Sequence, residues 1–563
     1  MSDEADNPAP PPSTPEEPPM EIHKPKPVHS WRELIPSAIL ACLLLVIPTA
    51  AFAQTVSVTG GQIRGAMFDE GGAVFKGIPY AAPPVGDLRW REPAPVKSWT
   101  DVRDATSFGP ACAQVPVMIP TTTPTSEDCL YLNIWNAEWP SQSRRPVMVW
   151  IPGGGNFGGS STNPATDSGS LTRHGVVLVT LNYRLGSFGF FSHPALTRES
   201  PRHVSGNQGI LDQIAALKWV RDNIAKFGGD PDNVTIFGES AGALDVNILM
   251  ASPLSKGLFN RVIADSAPLA ISDSLIGKTD TLAQAEKRGE AAAARWNLPP
   301  GATAGDLRKV SADDILKTEP NYMKSASFKA VSVMESFSHI GVVTDGYVLP
   351  SDPTDVFAAG KEQPVALLLG NNFRDWIPGT SPPADLGAAL DDIFGPLGDR
   401  ARKLYVGERD PLYGTLAEQF STDASFRCDS VAQLIWHASA GNPAYEFAFD
   451  HPITGREAWP NNHAADVSFV FGTINNGLVA GLARPALTPG AVDAQVSDAM
   501  QRYWTNFAKT GDPNGPGLPA WPKFDPNTRS YLQFTGTGPI AKEGLRRPYC
   551  DLLIENLKRR SPK

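Results

Sequence analysis

The chain has no basic stripe and no nucleic-acid motif. Its 59 acidic residues outnumber 49 basic ones, for a net charge of −10. Nucleic acid is therefore not expected as a partner. No His-Glu-x-x-His, Walker loop or calcium loop occurs, so neither a metal nor a cofactor is implied. No internal repeat is evident, which argues against solenoids and propellers. The apolar run from Ala38 to Ile47 is short for a membrane span and has prolines on both sides, so no stable membrane anchor is expected. Cysteine is scarce, with five in 563 residues.

What is present begins with a leader. Residues 1–33 are rich in Pro, Glu and Asp and lack core-forming runs, which predicts a disordered extension. Residues 34–53 hold the apolar run, then Pro48, Thr49 and the small-residue site Ala51-Phe52-Ala53. With Lys24, Lys26 and Arg32 upstream, this is the layout of a signal peptide cleaved before Gln54. Met20 is a second candidate start. A periplasmic or secreted protein is expected. Seven acids and three bases lie in residues 1–53, so the mature chain keeps a mild negative charge that favours solubility. It also keeps Cys112, Cys129, Cys428 and Cys550. Four cysteines in an exported protein predict two disulfides, with three pairings open.

Apolar residues make up 41 % of the chain, enough for a large core. Short strands are predicted between Val56 and Trp90, then at Leu130–Trp135, Val147–Ile151, Val176–Tyr183, Val234–Phe237, Val365–Gly370 and Tyr445–Phe449. Helical spacing marks Asn207–Ala225, with Ile210, Leu211, Ile214, Leu217, Val220 and Ile224 on one side. It also marks Ala241–Met250 and Met500–Lys509, and residues 273–349 and 381–440 are mainly helical in pattern. Strands alternating with helices predict an α/β fold, a mostly parallel sheet with helices on both faces. No linker divides residues 54–556, and 557–563 form a basic tail. Nothing in the sequence indicates an oligomeric state.

The most informative stretch is Ile236-Phe237-Gly238-Glu239-Ser240-Ala241-Gly242. It carries Gly-x-Ser-x-Gly between a predicted strand and a predicted helix, where a serine hydroxyl is projected from a strained turn. Alone, the motif could also be an ordinary glycine-rich turn. A serine needs a base, and the base needs a carboxylate to orient it. His463 lies in a loop before the apolar run Val467–Phe471, where a histidine is usually a surface residue. Asp375 follows the strand Val365–Gly370, where an aspartate is usually a cap or a solvated charge. Yet the order Ser240, Asp375, His463 is that of the α/β-hydrolase arrangement. Gly154 and Gly155, after the strand Val147–Ile151, and Ala241, after the serine, offer backbone N–H groups for an oxyanion.

These stretches, with Phe75-Lys76-Gly77-Ile78-Pro79-Tyr80, Ser126-Glu127-Asp128-Cys129, Asn182-Tyr183-Arg184-Leu185-Gly186 and Phe227-Gly228-Gly229-Asp230-Pro231, resemble the type-B carboxylesterase and cholinesterase family. The resemblance covers nearly the whole mature chain. It implies an α/β-hydrolase fold with large helical insertions and hydrolysis of a small-molecule ester through an acyl-enzyme. It puts the nucleophile on Ser240, the base on His463, the acid on Asp375, and the oxyanion donors on Gly154, Gly155 and Ala241. It further implies disulfides Cys112–Cys129 and Cys428–Cys550, and buried ion pairs Arg89–Glu127 and Arg184–Asp230. Pro152, Asn156 and Asp245 depart from the family pattern. Asp245 is expected to perturb the site or to cap a water network. The segment between Cys112 and Cys129 has no Trp, Tyr or Phe, so the aromatic face that a choline head needs is missing there. A lipase and a catalytically silent binding module are the alternative functions.

Overall fold

Apolar runs bounded by glycine, proline and asparagine become the strands of one sheet. A computed structural model of the chain describes residues 52–560, apart from 69–70, 116–120, 268–278, 320–340, 376–382, 384, 408, 456–461 and 475–487. The N-terminal extension and nearly all of the expected leader lie outside the described residues, as do His339, Pro460 and Asn461. The predicted cleavage point before Gln54 falls inside the first strand, Phe52–Val58. Its pairs from Thr55↔Arg64 to Val58↔Gly61 lie beyond that point. The expected basic tail is described as far as residue 560, where it ends the helix Arg547–Arg560.

Among the described residues the main sheet has 13 strands. Its centre runs Val177–Leu181, Arg145–Ile151, Gly229–Glu239, Arg261–Asp265, Ala366–Asn372, Ala444–Asp450 and Ser530–Thr535, in that spatial order. All neighbours in this series pair in parallel. Antiparallel strands extend the sheet at both ends. The continuous apolar runs have a simple cause. Successive side chains leave opposite faces of a strand, and here both faces are covered. Val147, Val149 and Ile151 enter one apolar core, while Met148 and Trp150 enter the other. Ile236 and Phe237 divide in the same way.

Helices Gln208–Asn223, Ala241–Ala251 and Cys428–Ser439 cover one face, and Ala491–Thr510 covers the other. The last is longer than the predicted Met500–Lys509. Val496 extends its apolar side, and the Asp493 carboxylate accepts from the Gly490 N–H at its start. Between 273 and 349, the described helices Leu282–Arg295, Ala304–Lys309 and Ala312–Thr318 gather around Trp90, Phe191 and Trp296 in a separate apolar cluster. Cys112 bonds Cys129 and Cys428 bonds Cys550.

Two expectations change. The helix Gln208–Asn223 is not amphipathic in the ordinary sense, because Asp212, Gln213 and Asn223 are buried with its apolar residues. Each has a partner on another element. Asp212 holds the Arg184 guanidinium, with Nε to Oδ2 and Nη2 to Oδ1 both at 2.7 Å. Arg184 therefore does not pair with Asp230. Arg184 follows the C-terminal end of Val177–Leu181, whereas Asp230 stands at the N-terminal end of its own strand. Those are opposite edges of a parallel sheet. Asp230 instead accepts from the Asp232 N–H. The expected Arg89–Glu127 pair is present, at 2.5 and 2.6 Å.

Removing the carboxylate of Asp212 strands a buried guanidinium, which typically costs about 3–5 kcal/mol. Asp212→Ala should destabilise the fold by that order, while Asp230→Ala stays within about 0.5 kcal/mol of the parent. Urea unfolding of the two variants compares them directly.

Candidate functional site

The strand Gly229–Glu239 stops at a residue that cannot continue either neighbour's geometry. Ser240 has φ 56° and ψ −124°, a strained conformation for a residue with a side chain. The helix Ala241–Ala251 begins at once. The turn is tight because two glycines permit it. A Cβ on Gly238 would lie 2.5 Å from the Gly242 carbonyl carbon, and one on Gly242 would lie 2.1 Å from the Ile151 oxygen. Ser240 N–H donates to the Asp265 carbonyl on the next strand at 3.0 Å, which anchors the turn.

The structure brings the three predicted side chains together. The Ser240 hydroxyl lies 2.7 Å from His463 Nε2. The His463 Nδ1–H donates to Asp375 Oδ1, also at 2.7 Å. Asp375 is fully buried, and its other oxygen accepts from the Asn372 N–H at 3.2 Å. It follows the strand Ala366–Asn372, two strands from the serine at the same edge of the sheet. His463 lies in the loop before the short helix Val467–Val470 and is almost buried. The Phe426 ring lies over its imidazole at 4.6 Å between centroids. The other histidines with carboxylate partners are structural ties: His437 meets Glu362 and His451 meets Asp493.

Glu239 was not singled out in the sequence. Its Oε1 lies 3.2 Å from His463 Nε2, because the residue before the serine turns its side chain under the imidazole. No spacing rule in the sequence signals this. Asp466, one turn after His463, accepts from Asn372 Nδ2 at 3.1 Å. Burial raises the Glu239 carboxyl, while His463 pulls it back. Burial alone would lower the imidazole, but Glu239, Asp375 and Asp466 outweigh it and hold His463 above its ordinary value.

The predicted oxyanion donors border the same serine. A Cβ on Gly153 would lie 3.2 Å from Ser240 Cβ, so the glycine turn passes close beside Ser240. Gly154 O accepts from the N–H groups of Phe157 and Gly158 at 3.2 and 3.0 Å, closing the turn. The N–H groups of Gly154 and Gly155 make no backbone hydrogen bond among the described residues. The Ala241 N–H opens a helix and has no partner inside it. Two of the three departures meet each other: Asn156 donates to Asp245 at 3.0 Å. The third, Pro152, presents its carbonyl to the Tyr183 hydroxyl at 2.9 Å.

Residues 53–378 and 404–553 match the model of the carboxylesterase family. The chain is 36 % identical over 510 residues to fumonisin B1 esterase of Sphingopyxis macrogoltabida, covering 89 % of this chain and 90 % of that one. It is 36 % identical over 502 residues to para-nitrobenzyl esterase of Bacillus subtilis (strain 168), covering 85 % and 94 %. Among solved structures, a PNB esterase superposes with a TM-score of 0.74 at 32 % identity, over 89 % of this chain and 99 % of that one. The sheet, the serine turn and these matches together make the chain an α/β hydrolase that belongs to the carboxylesterase family and hydrolyses carboxylic esters.

Proposed function

We propose that this esterase is an exported serine hydrolase that works through Ser240, His463 and Asp375 and an acyl-enzyme intermediate. The observation that carries the reading is the unbroken pair of 2.7 Å hydrogen bonds from Ser240 through His463 to Asp375. His463 Nε2 takes the hydroxyl proton as Ser240 Oγ attacks the ester carbonyl. The N–H groups of Gly154, Gly155 and Ala241 receive the oxyanion, each such donor being worth about 3 kcal/mol of barrier. The imidazolium, oriented by Asp375, then gives its proton to the leaving alcohol. Water repeats the sequence on the acyl-enzyme and releases the acid. Three competent side chains in contact argue against a silent binding module. Relatives named for fumonisin B1 and para-nitrobenzyl esters support a small-molecule ester as substrate.

Export is supported by the leader pattern in residues 1–53 and by two disulfides, which persist in an oxidising compartment such as the periplasm or the exterior. Among the described residues, no helix is long and apolar enough to cross a membrane. The mature protein should begin at Gln54, which intact mass measurement checks; retention of residues 1–53 would count against cleavage there.

Ser240→Ala should lower kcat on a p-nitrophenyl ester by roughly 10⁵-fold or more. It should also abolish labelling by a fluorophosphonate, with the circular dichroism spectrum unchanged. Turnover that survives the substitution would exclude Ser240 as nucleophile.

The Glu239–His463 pair generates a pH prediction. The pair must lose two protons before the imidazole is free, and the carboxylate formed first holds back the second. Activity needs the neutral imidazole, so it rises with pH as that second proton leaves. Glu239→Gln removes the carboxyl beside Nε2 and should move the acidic limb of kcat/KM to lower pH by about one unit or more. A limb that stays in place or moves upward would contradict this coupling.

A further inference from the structure

The glycine turn is tied at both ends by one side chain, Tyr183. Pro152 precedes its glycines and Asn156 follows them. The Tyr183 hydroxyl lies 2.9 Å from Pro152 O and 2.8 Å from Asn156 Oδ1, so it spans the two ends. The Asn156 carbonyl accepts from the Gly186 N–H at 2.7 Å. The Asn156 amide donates to Asp245 Oδ1 at 3.0 Å, and Asp245 Oδ2 accepts from Gln213 Nε2 at 2.5 Å. Asn156 holds φ 60°, a left-handed conformation that asparagine and aspartate tolerate better than most residues.

Asp245 belongs to the helix that Ser240 begins. The Asn156–Asp245 hydrogen bond therefore joins two rigid parts of the reaction geometry. One is the turn bearing Gly154 and Gly155, and the other is the helix bearing Ser240 and Ala241. Asp245 is fully buried, and among the described residues no cation is one of its hydrogen-bond partners. Burial pushes its carboxyl up to about 7, against the amides of Asn156 and Gln213 and the hydroxyl of Tyr183. A carboxylate in such a place costs stability. That cost fits a site where geometry matters more than stability.

We propose that Asn156 and Asp245 are positioning residues that lock the oxyanion turn against the serine helix, and so act on kcat rather than on substrate binding. The proposal rests on the serine-esterase reading above. Hydrogen-bond donors stabilise an oxyanion only when fixed at its position, and a displacement near 1 Å can cost about 100-fold in rate.

An exchange of the two side chains tests it. In Asn156→Asp with Asp245→Asn, residue 156 still accepts from Tyr183, residue 245 donates back to it, and the new amide oxygen accepts from Gln213. Every contact survives, and the charge moves across one hydrogen bond. Each single change disturbs the set: Asp245→Asn turns an amide donor toward the Gln213 amide, and Asn156→Asp sets a second carboxyl against Asp245, so neither keeps every contact unless an amide turns over or a proton is shared. Each single variant should lose roughly 10- to 100-fold in kcat on a p-nitrophenyl ester, with KM within about twofold. The double variant should return to within about threefold of the parent. Tyr183→Phe, which adds no charge, should lose about tenfold in kcat, and serves if a single variant does not fold. Unchanged kcat in the single variants, a loss confined to KM, or a folded double variant no better than the singles would each overturn the proposal. Ser240→Ala run alongside separates the two readings. If that variant is inactive while the exchange changes nothing, the esterase reading stands and the lock falls.

Discussion

The site depends on one close approach of two backbones. In the parallel pairing of Arg145–Ile151 with Gly229–Glu239, Gly238 stands opposite Ile151. That register sets the Ile151 carbonyl against Gly242, where any side chain would collide. The chain must then reverse within a single residue, and Ser240 takes the strain. The same register delivers the glycine turn after Ile151 to the flank of the serine. The proposed nucleophile and oxyanion donors are thus placed by sheet pairing, and the two other side chains of the proposed triad need only reach the same edge of the sheet.

Electrostatics then sets what the imidazole can do. Glu239, Asp375 and Asp466 lie around a buried His463, and Asp265 lies close enough to feel Asp466, Glu239 and Asp375. Burial raises Glu239, Asp265 and Asp466, so each holds its proton to higher pH than an ordinary carboxyl. An imidazolium at His463 offsets the charge they carry, and in the proposed mechanism transfer of the serine proton to His463 creates one. The cluster therefore favours the charge distribution that forms as the ester is attacked. The same field keeps the imidazole protonated longer as pH rises, which ties the reaction to the protonation of Glu239.

Much of this was legible in the chain. Apolar runs gave the central strands, and Gly-x-Ser-x-Gly located the turn between a strand and a helix. The order of Ser240, Asp375 and His463 matched the residues that the fold brings together. What was not legible depends on where elements sit relative to one another. Arg184 was assigned to Asp230, and only the edge of the sheet on which each lies shows that Asp212 is its partner. Glu239 is adjacent to the serine in sequence, yet its contact with His463 follows from the direction of one side chain. Asn156 and Asp245 read as two separate departures, 89 positions apart. Their pairing is visible only after the serine helix has packed against the turn.

The segment Pro152–Gly159 combines five glycines with an unusual degree of restraint. Glycine permits the conformations that the turn needs, but glycine alone would leave them interchangeable. The surroundings remove that freedom. On the outer side, Gln114 brackets Gly159, accepting from its N–H and donating to its carbonyl, both at 2.9 Å. Gln114 also donates to the Cys112 carbonyl at 3.0 Å, two residues past one end of a disulfide. On the inner side, Tyr183 and Gly186 hold Pro152 and Asn156. The Cys112–Cys129 bond thus lies one residue's reach from the proposed oxyanion turn. A flexible sequence held by a rigid frame can hold the N–H groups of Gly154 and Gly155, which make no backbone hydrogen bond among the described residues, in one geometry. Donors fixed in that way need no reorganisation when charge develops on the ester oxygen.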